Sequence, residues 1–180
     1  TVASNTRGVF GTGYDGSNST VNCETWDGSS WTEIANVNAA RDYAAGSPVG
    51  SGAGLVFGGS GVTAATEFFN GASWTEVSDL SNARQGVSGS GTTSLSLCSG
   101  GLKPPGTTLQ TATEEWNQLS TLAAGAWASG GNLPSSRALA APMGTQTATL
   151  IARGYSESGT PPSSGGYLNN SLEYDGSSWG

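Results

Sequence analysis

Four times along 180 residues the chain returns to the same phrase, an apolar or small-residue strand ending in glycine, then an acidic-aromatic strand, a turn, and a tryptophan. Its plainest copy runs from Arg41 to Val77: a small-residue stretch after Arg41, the apolar run Leu55 to Gly59, ATEFFNG over 65–71 and SWTEV over 73–77. Short extended segments separated by Gly-rich punctuation read as strands and hairpins, and a period of this length means stacked supersecondary units. The other copies follow the same order. VFGTG (9–13), CETWDG (23–28) and SWTEI (30–34) form the first, SLCSGG (96–101), ATEEWN (112–117) and AWASGG (126–131) the third, and TLIARGY (149–155), SLEYDG (171–176) and SSWG (177–180) the fourth. Trp31, Trp74, Trp127 and Trp179 mark the last strand of each copy at spacings of 43, 53 and 52 residues. A second marker keeps the same phase: Val37 to Arg41, Leu80 to Arg84 and Leu133 to Arg137 each set an arginine four residues after an aliphatic. The copies are bounded approximately as 1–36, 37–79, 80–132 and 133–180.

Each element has a physical reason. Strands converging on an axis must carry small side chains, as at Ala44, Ala45 and Gly46, whereas a strand covered on both faces reads as a continuous apolar run such as Leu55, Val56 and Phe57. Asp27-Gly28, Asn70-Gly71 and Asp175-Gly176 predict two-residue hairpin turns, because those pairs tolerate positive φ. The four tryptophans are predicted to be equivalent, with Trp31, Trp74 and Trp127 substantially buried.

An apolar run ending in Gly-Gly (Gly58-Gly59, Gly100-Gly101), an aromatic about a dozen residues on (Phe69, Trp116) and then a Trp (Trp74, Trp127) resemble kelch repeats, over nearly the whole chain. Gly11-Thr12-Gly13 and Ala152-Arg153-Gly154 replace the double glycine in the outer copies. TEFFNGASWTEV and SLEYDGSSW are similar to kelch-like repeats of environmental bacteria and their phages. The resemblance implies an all-β, kelch-like β-propeller of about four four-stranded blades. Kelch rings usually hold six or seven, so the expectation is part of a larger ring, or one completed by partner chains. Uncovered terminal blade faces would be large apolar patches, which soluble monomers rarely carry.

Composition narrows the function. Charged residues make up 11% of the chain, the net charge is −7 and the five arginines and one lysine form no basic stripe, which opposes nucleic-acid binding. No apolar stretch reaches the length of a membrane helix. Cys23 and Cys98 lack CxxC spacing, and a chain without histidine offers no copper or zinc ligand set, so no cofactor or metal is expected. That absence also argues against the copper-radical oxidases among kelch-like propellers. The adjacent Asp-Gly pairs lack the spacing of a sialidase Asp-box, and Glu24, Glu67 and Glu114 obey the repeat as structural residues do, whereas a catalytic carboxylate pair would break it. Glu173 is offset by one position from them.

Candidate binding residues are the recurrent Arg41, Arg84 and Arg137, read either as satisfying carbonyls at the innermost strand or as a ring of guanidinium groups for an anionic sugar or carboxylate. Lys103, Tyr155 and Tyr167 join them, in or beside the two long inserts Lys103 to Thr111 and Ser156 to Asn170, which occupy one slot of the repeat and should emerge on one face. The expected function is a non-enzymatic structural or assembly protein of a virion or an extracellular or cell-surface appendage, binding other protein subunits, copies of itself among them. The alternative is a recognition module for surface glycans or a host protein; a glycosidase or sialidase-like enzyme is the remote third.

Overall fold

A computed structural model describes residues 8–47, 52–61, 63–103, 108–118, 125–156 and 166–180. The described chain is all-β, in antiparallel sheets none of which closes on itself. Repeat 1 holds β1 (Gly8–Tyr14), β2 (Ser19–Trp26) and β3 (Trp31–Ile34) in the order β1-β2-β3. Repeat 2 is a four-stranded meander of β4 (Ala45–Ser47), β5 (Gly54–Phe57), β6 (Thr66–Phe69) and β7 (Trp74–Val77). Repeat 3 contains β8 (Ser88–Gly91) and β9 (Leu95–Ser99), the small hairpin β10 (Leu102–Lys103) with β11 (Thr108–Leu109), then β12 (Thr113–Asn117) and β13 (Ala126–Ser129); its main sheet is β8-β9-β12-β13. Repeat 4 contains β14 (Ala141–Thr145), β15 (Ala148–Ala152), the hairpin β16 (Tyr155–Ser156) with β17 (Gly166–Tyr167), and β18 (Ser171–Tyr174), with Trp179 bridging back to Tyr174.

The sheets of repeats 2, 3 and 4 meet through their first strands, β4 against β8 and β8 against β14. Small residues there are required by distance: a Cβ on Gly89 would stand 2.7 Å from Phe57 and 2.9 Å from Ala45. Hydroxyls bond across the same layer, Ser96 Oγ to Ser47 Oγ at 2.8 Å and Ser90 Oγ with Thr149 Oγ1 at 2.7 Å. The buried apolar residues form three clusters, the first two drawn from neighbouring repeats and the third from repeat 4. Cys23, Val37, Val56, Phe69 and Trp74 fill the first; Leu55, Phe57, Leu80, Val87, Cys98 and Trp116 the second; Leu133, Ala140, Ile151 and Leu172 the third. In repeat 1 no described strand pairs with the outer edge of β1. A cleft of about 160 Å3, lined by Val9, Gly11, Thr12 and Ala44 to Ser47, lies at that edge.

The turns differ from the two-residue hairpins that the Asp-Gly and Asn-Gly pairs predict. Trp26 pairs with Trp31 and Phe69 with Trp74, leaving four residues in each loop. The side chain decides this: Asp27 Oδ1 accepts the amides of Ser29 and Ser30 at 2.8 Å each, and Asn70 Oδ1 accepts those of Ala72 and Ser73 at 2.9 Å each. Asp175 repeats the arrangement on Ser177 and Ser178. These bonds form an Asx turn that outcompetes the tighter primed turn. They also hold the Asp27 and Asp175 carboxyls down at about 2.

Across each turn the two aromatics pack together, with ring centroids 5.4 Å apart for Trp26–Trp31, 5.1 Å for Phe69–Trp74, 5.5 Å for Trp116–Trp127 and 5.0 Å for Tyr174–Trp179. The tryptophan then staples its sheet to the preceding repeat. The indole N–H of Trp74 donates to the Ala35 carbonyl at 2.9 Å, that of Trp127 to Thr66 Oγ1 at 3.1 Å and that of Trp179 to Thr113 Oγ1 at 3.0 Å. Trp74 is buried and Trp127 partly so, but the expected burial of Trp31 is not found: it is 49% exposed. The physical reason is that no described repeat precedes it; the indole lies against Trp26 of its own sheet.

Candidate functional site

The three recurrent arginines lie inside the sheets, 1%, 0% and 1% exposed for Arg41, Arg84 and Arg137. Arg41 Nη1 donates to the carbonyls of Gly58 (3.3 Å) and Ala65 (2.9 Å), tying the ends of β5 and β6, while Nη2 donates to Glu67 Oε1 at 2.5 Å. The other carboxylate oxygen accepts the amide and side-chain N–H of Asn38 at 2.8 and 2.7 Å. Repeat 3 reproduces the set: Arg84 Nη1 to Gly100 O at 3.0 Å and Ala112 O at 2.8 Å, Nη2 to Glu114 Oε1 at 2.5 Å, and Glu114 Oε2 accepting from Ser81 N and Oγ. The arginine carbonyls face the other way and accept from the preceding repeat, Gly13 N to Arg41 O at 3.0 Å, Gly59 N to Arg84 O at 2.9 Å and Gly101 N to Arg137 O at 2.8 Å. Each arginine therefore clamps its own sheet with the side chain and its neighbour with the backbone. None of the three reaches the surface.

Repeat 4 keeps the arginine and loses the carboxylate. Ala152 pairs with Ser171 as Phe57 pairs with Thr66, which places Leu172 where Glu67 and Glu114 stand and turns Glu173 outward. The residue that would donate to that carboxylate is Pro134, in the position of Asn38 and Ser81, so donor and acceptor are absent together. Arg137 retains Arg153 O at 3.1 Å and a long bond to Ser135 Oγ at 3.4 Å, and burial without a counter-charge lowers its pKa.

Acid and thiol groups are equally dispersed. Glu67 and Glu114 are taken up by the arginines, and Glu24 and Glu173 are exposed in the first and fourth repeats. Among the described residues no three His, Cys, Asp or Glu side chains come together as a metal site. Cys23 and Cys98 are free and sit in different inter-sheet clusters; burial raises both thiols, Cys98 to about 11.

The exposed chemistry gathers at one end of the repeats. The hairpins β10–β11 and β16–β17 spring from the same position, directly after the left-handed Gly100 and Arg153, and Leu102 and Tyr155 bridge to Gln85 and Ala138 at the starts of their repeats. Lys103 and Tyr167 are exposed on these hairpins, Tyr167 at 88%, and the rings of Tyr155 and Tyr167 meet edge to face at 6.3 Å. Residues 104–107 and 157–165 of the two inserts lie outside the described chain. At this end Thr20, near the tip of the β1–β2 hairpin, bridges to Arg41, and exposed Tyr14 closes the tip.

Two more exposed residues belong to this end. Tyr43 and Leu139, each two residues after a buried arginine, take positive φ values of 50° and 56°, matching the 60° of Gly86 between them. Gly86 N donates to Tyr43 O and Leu139 N to Gly86 O, both at 2.8 Å, so the three repeats are laced at this point. Tyr43, Gln85, Gly86, Leu102 and Leu139 line a notch of about 240 Å3. The sequence carried one signal for these residues, the glycine at the equivalent position of repeat 3. Four of the five tyrosines thus stand at one end, with Tyr174 buried elsewhere. No protein-family model matches this chain, and no curated protein gives a match.

Proposed function

We propose that this chain is a non-enzymatic interaction scaffold of kelch-like propeller blades, an assembly component of a virion or of an extracellular or cell-surface appendage. The observation that carries the reading is the fate of the recurrent charged residues. Arg41, Arg84, Glu67 and Glu114 are consumed by carbonyl and ion-pair bonds inside the sheets, where they hold each sheet together and, among the described residues, leave no singular polar cluster for chemistry. Small inner strands, aromatic outer turns and sheets stacked through their innermost strands support the blade assignment within this reading.

A second reading, recognition of a surface glycan or host protein through the hairpin end, is favoured by the exposed Tyr14, Tyr43 and Tyr167 beside Lys103, since tyrosine supplies large rigid contact area at low entropic cost. A glycan array run together with a panel of sialoside and galactoside substrates separates the alternatives. The scaffold reading expects neither turnover nor reproducible binding to one sugar class. Binding to one class that is lost in Tyr43→Ser transfers the function to the hairpin end, and turnover lost on replacing a single acidic residue overturns both.

A further inference from the structure

The two ends of the stack carry complementary halves of the interface that joins the repeats internally. In each internal interface a tryptophan reaches back to the repeat before it, and in two of three its acceptor is the hydroxyl at the head of the acidic strand, Thr66 for Trp127 and Thr113 for Trp179. Strand pairing places Ser171 at that same position in repeat 4, where it is exposed, and Trp31 at the same position as Trp127 in repeat 1, where it is 49% exposed. The outward surface of repeat 4 also carries apolar side chains at matching positions: Met143, 55% exposed, occupies the position of Ser47 and Ser90, and Leu150 that of the buried Leu55 and Leu97. A shallow depression lined by Ala148, Leu150, Glu173 and Tyr174 opens on that surface.

We propose that repeat 1 of one chain packs head to tail on repeat 4 of a second copy, the Trp31 indole N–H of the first donating to Ser171 Oγ of the second. The interface continues the one already repeated along the chain, with the same donor, an acceptor hydroxyl of the same kind and an apolar side chain, Leu150, at the position of Leu55 and Leu97. A contact of this type joins unlike surfaces, so it either closes a small ring or continues as a filament. The inference rests on reading the chain as an interaction scaffold and names one of its partners.

The test is sedimentation of the purified chain from about 1 to about 200 µM, a range that resolves association of ordinary strength. Self-association is expected. Trp31→Ala should weaken it at least tenfold while leaving the melting temperature of the dilute chain nearly unchanged. Ser171→Ala should weaken it several-fold, and Ser171→Thr, the residue of repeats 2 and 3, should restore it. A single species of 18.0 kDa at every concentration overturns the proposal. So does association that neither Trp31→Ala nor Ser171→Ala alters. Either failure leaves the scaffold reading standing with other partners.

Discussion

Repeats 3 and 4 hold the same arginine in the same place, one against a carboxylate and the other against a leucine. Arg84 is neutralised by Glu114, which in turn is held by Ser81; in repeat 4 strand pairing puts Leu172 at the carboxylate's position, and the chain before Arg137 carries Pro134. Both arginines nevertheless reach the backbone carbonyl at the end of the second strand, Gly100 and Arg153. The constant function of this residue is therefore to satisfy carbonyls, and the ion pair is an optional addition. Its presence in repeats 2 and 3 and absence from repeat 4 agree with the general finding that buried ion pairs trade desolvation against attraction with little net gain; the unpaired Arg137 bears the desolvation as a lowered pKa.

The largest expected effect follows from making half a pair. Glu114→Leu imports the leucine of repeat 4 into repeat 3 without its proline, stranding Arg84 and the Ser81 donors; urea unfolding should show a loss of ~3–5 kcal/mol. Adding Ser81→Pro removes one stranded amide, so the double variant should be more stable than the sum of the single changes predicts, by ~0.5–3 kcal/mol. Strict additivity would mean that the two positions do not act as a unit.

Trp74 and Trp31 extend the comparison to the outer strands. Trp74→Ala empties the first inter-sheet cluster and should cost ~3–5 kcal/mol, whereas Trp31→Ala in the dilute chain should cost less than ~1 kcal/mol because half of that side chain is already wet. Thermal denaturation of the two variants side by side is sufficient.

A smaller, pH-dependent effect distinguishes the third interface. Tyr174 is pushed up to about 12 by burial and by donating its hydroxyl to Glu115 Oε1 at 2.5 Å. Its native form keeps the proton that the unfolded chain releases near 10, so its contribution is complete below pH 10 and is lost as pH rises toward 12. Tyr174→Phe should flatten the alkaline fall in stability over that window; an unchanged slope would show that the bond to Glu115 contributes nothing.

The smallest effect concerns the left-handed turn at the second strand's end. Gly58 at φ 66° and Arg153 at φ 63° occupy equivalent positions with different side chains. A Cβ on Gly58 would lie 2.7 Å from the Arg84 carbonyl oxygen, so Gly58→Ala should cost ~1–3 kcal/mol. Arg153→Gly exchanges relieved strain for lost chain stiffness and should stay within ~0.5 kcal/mol by equilibrium unfolding.

Period and residue size made much of this legible in advance. The tryptophan marks the main sheet of each repeat and the arginine those of repeats 2, 3 and 4, because each sits where the repeat's geometry admits one kind of side chain. Other features depend on what period cannot show. Trp31 sits in SWTEI as Trp74 sits in SWTEV, and among the described residues a preceding sheet stands beside the second and not the first. The φ preference of the Asp-Gly pairs predicts tight hairpins, and the side-chain oxygen, which builds the longer Asx turn, overrides it. Leu172 was hidden by Glu173 next to it, since the insert of 156–170 blurs the alignment by one residue until strand pairing resolves it. Tyr43 and Leu139 escaped notice because left-handed backbone is anticipated at glycine, and only Gly86 of the three is one.

Hydrogen exchange of the indole N–H groups, followed by NMR at a concentration where the chain sediments singly, tests the repeat account most directly. The N–H of Trp74 and Trp127, bonded to Ala35 O and Thr66 Oγ1 of the preceding repeat, should be protected, and that of Trp31 should exchange orders of magnitude faster. Equal protection at Trp31 and Trp74, or fast exchange at all three, would contradict the claim that one interface recurs along the chain and that Trp31, half exposed, has no described counterpart to it.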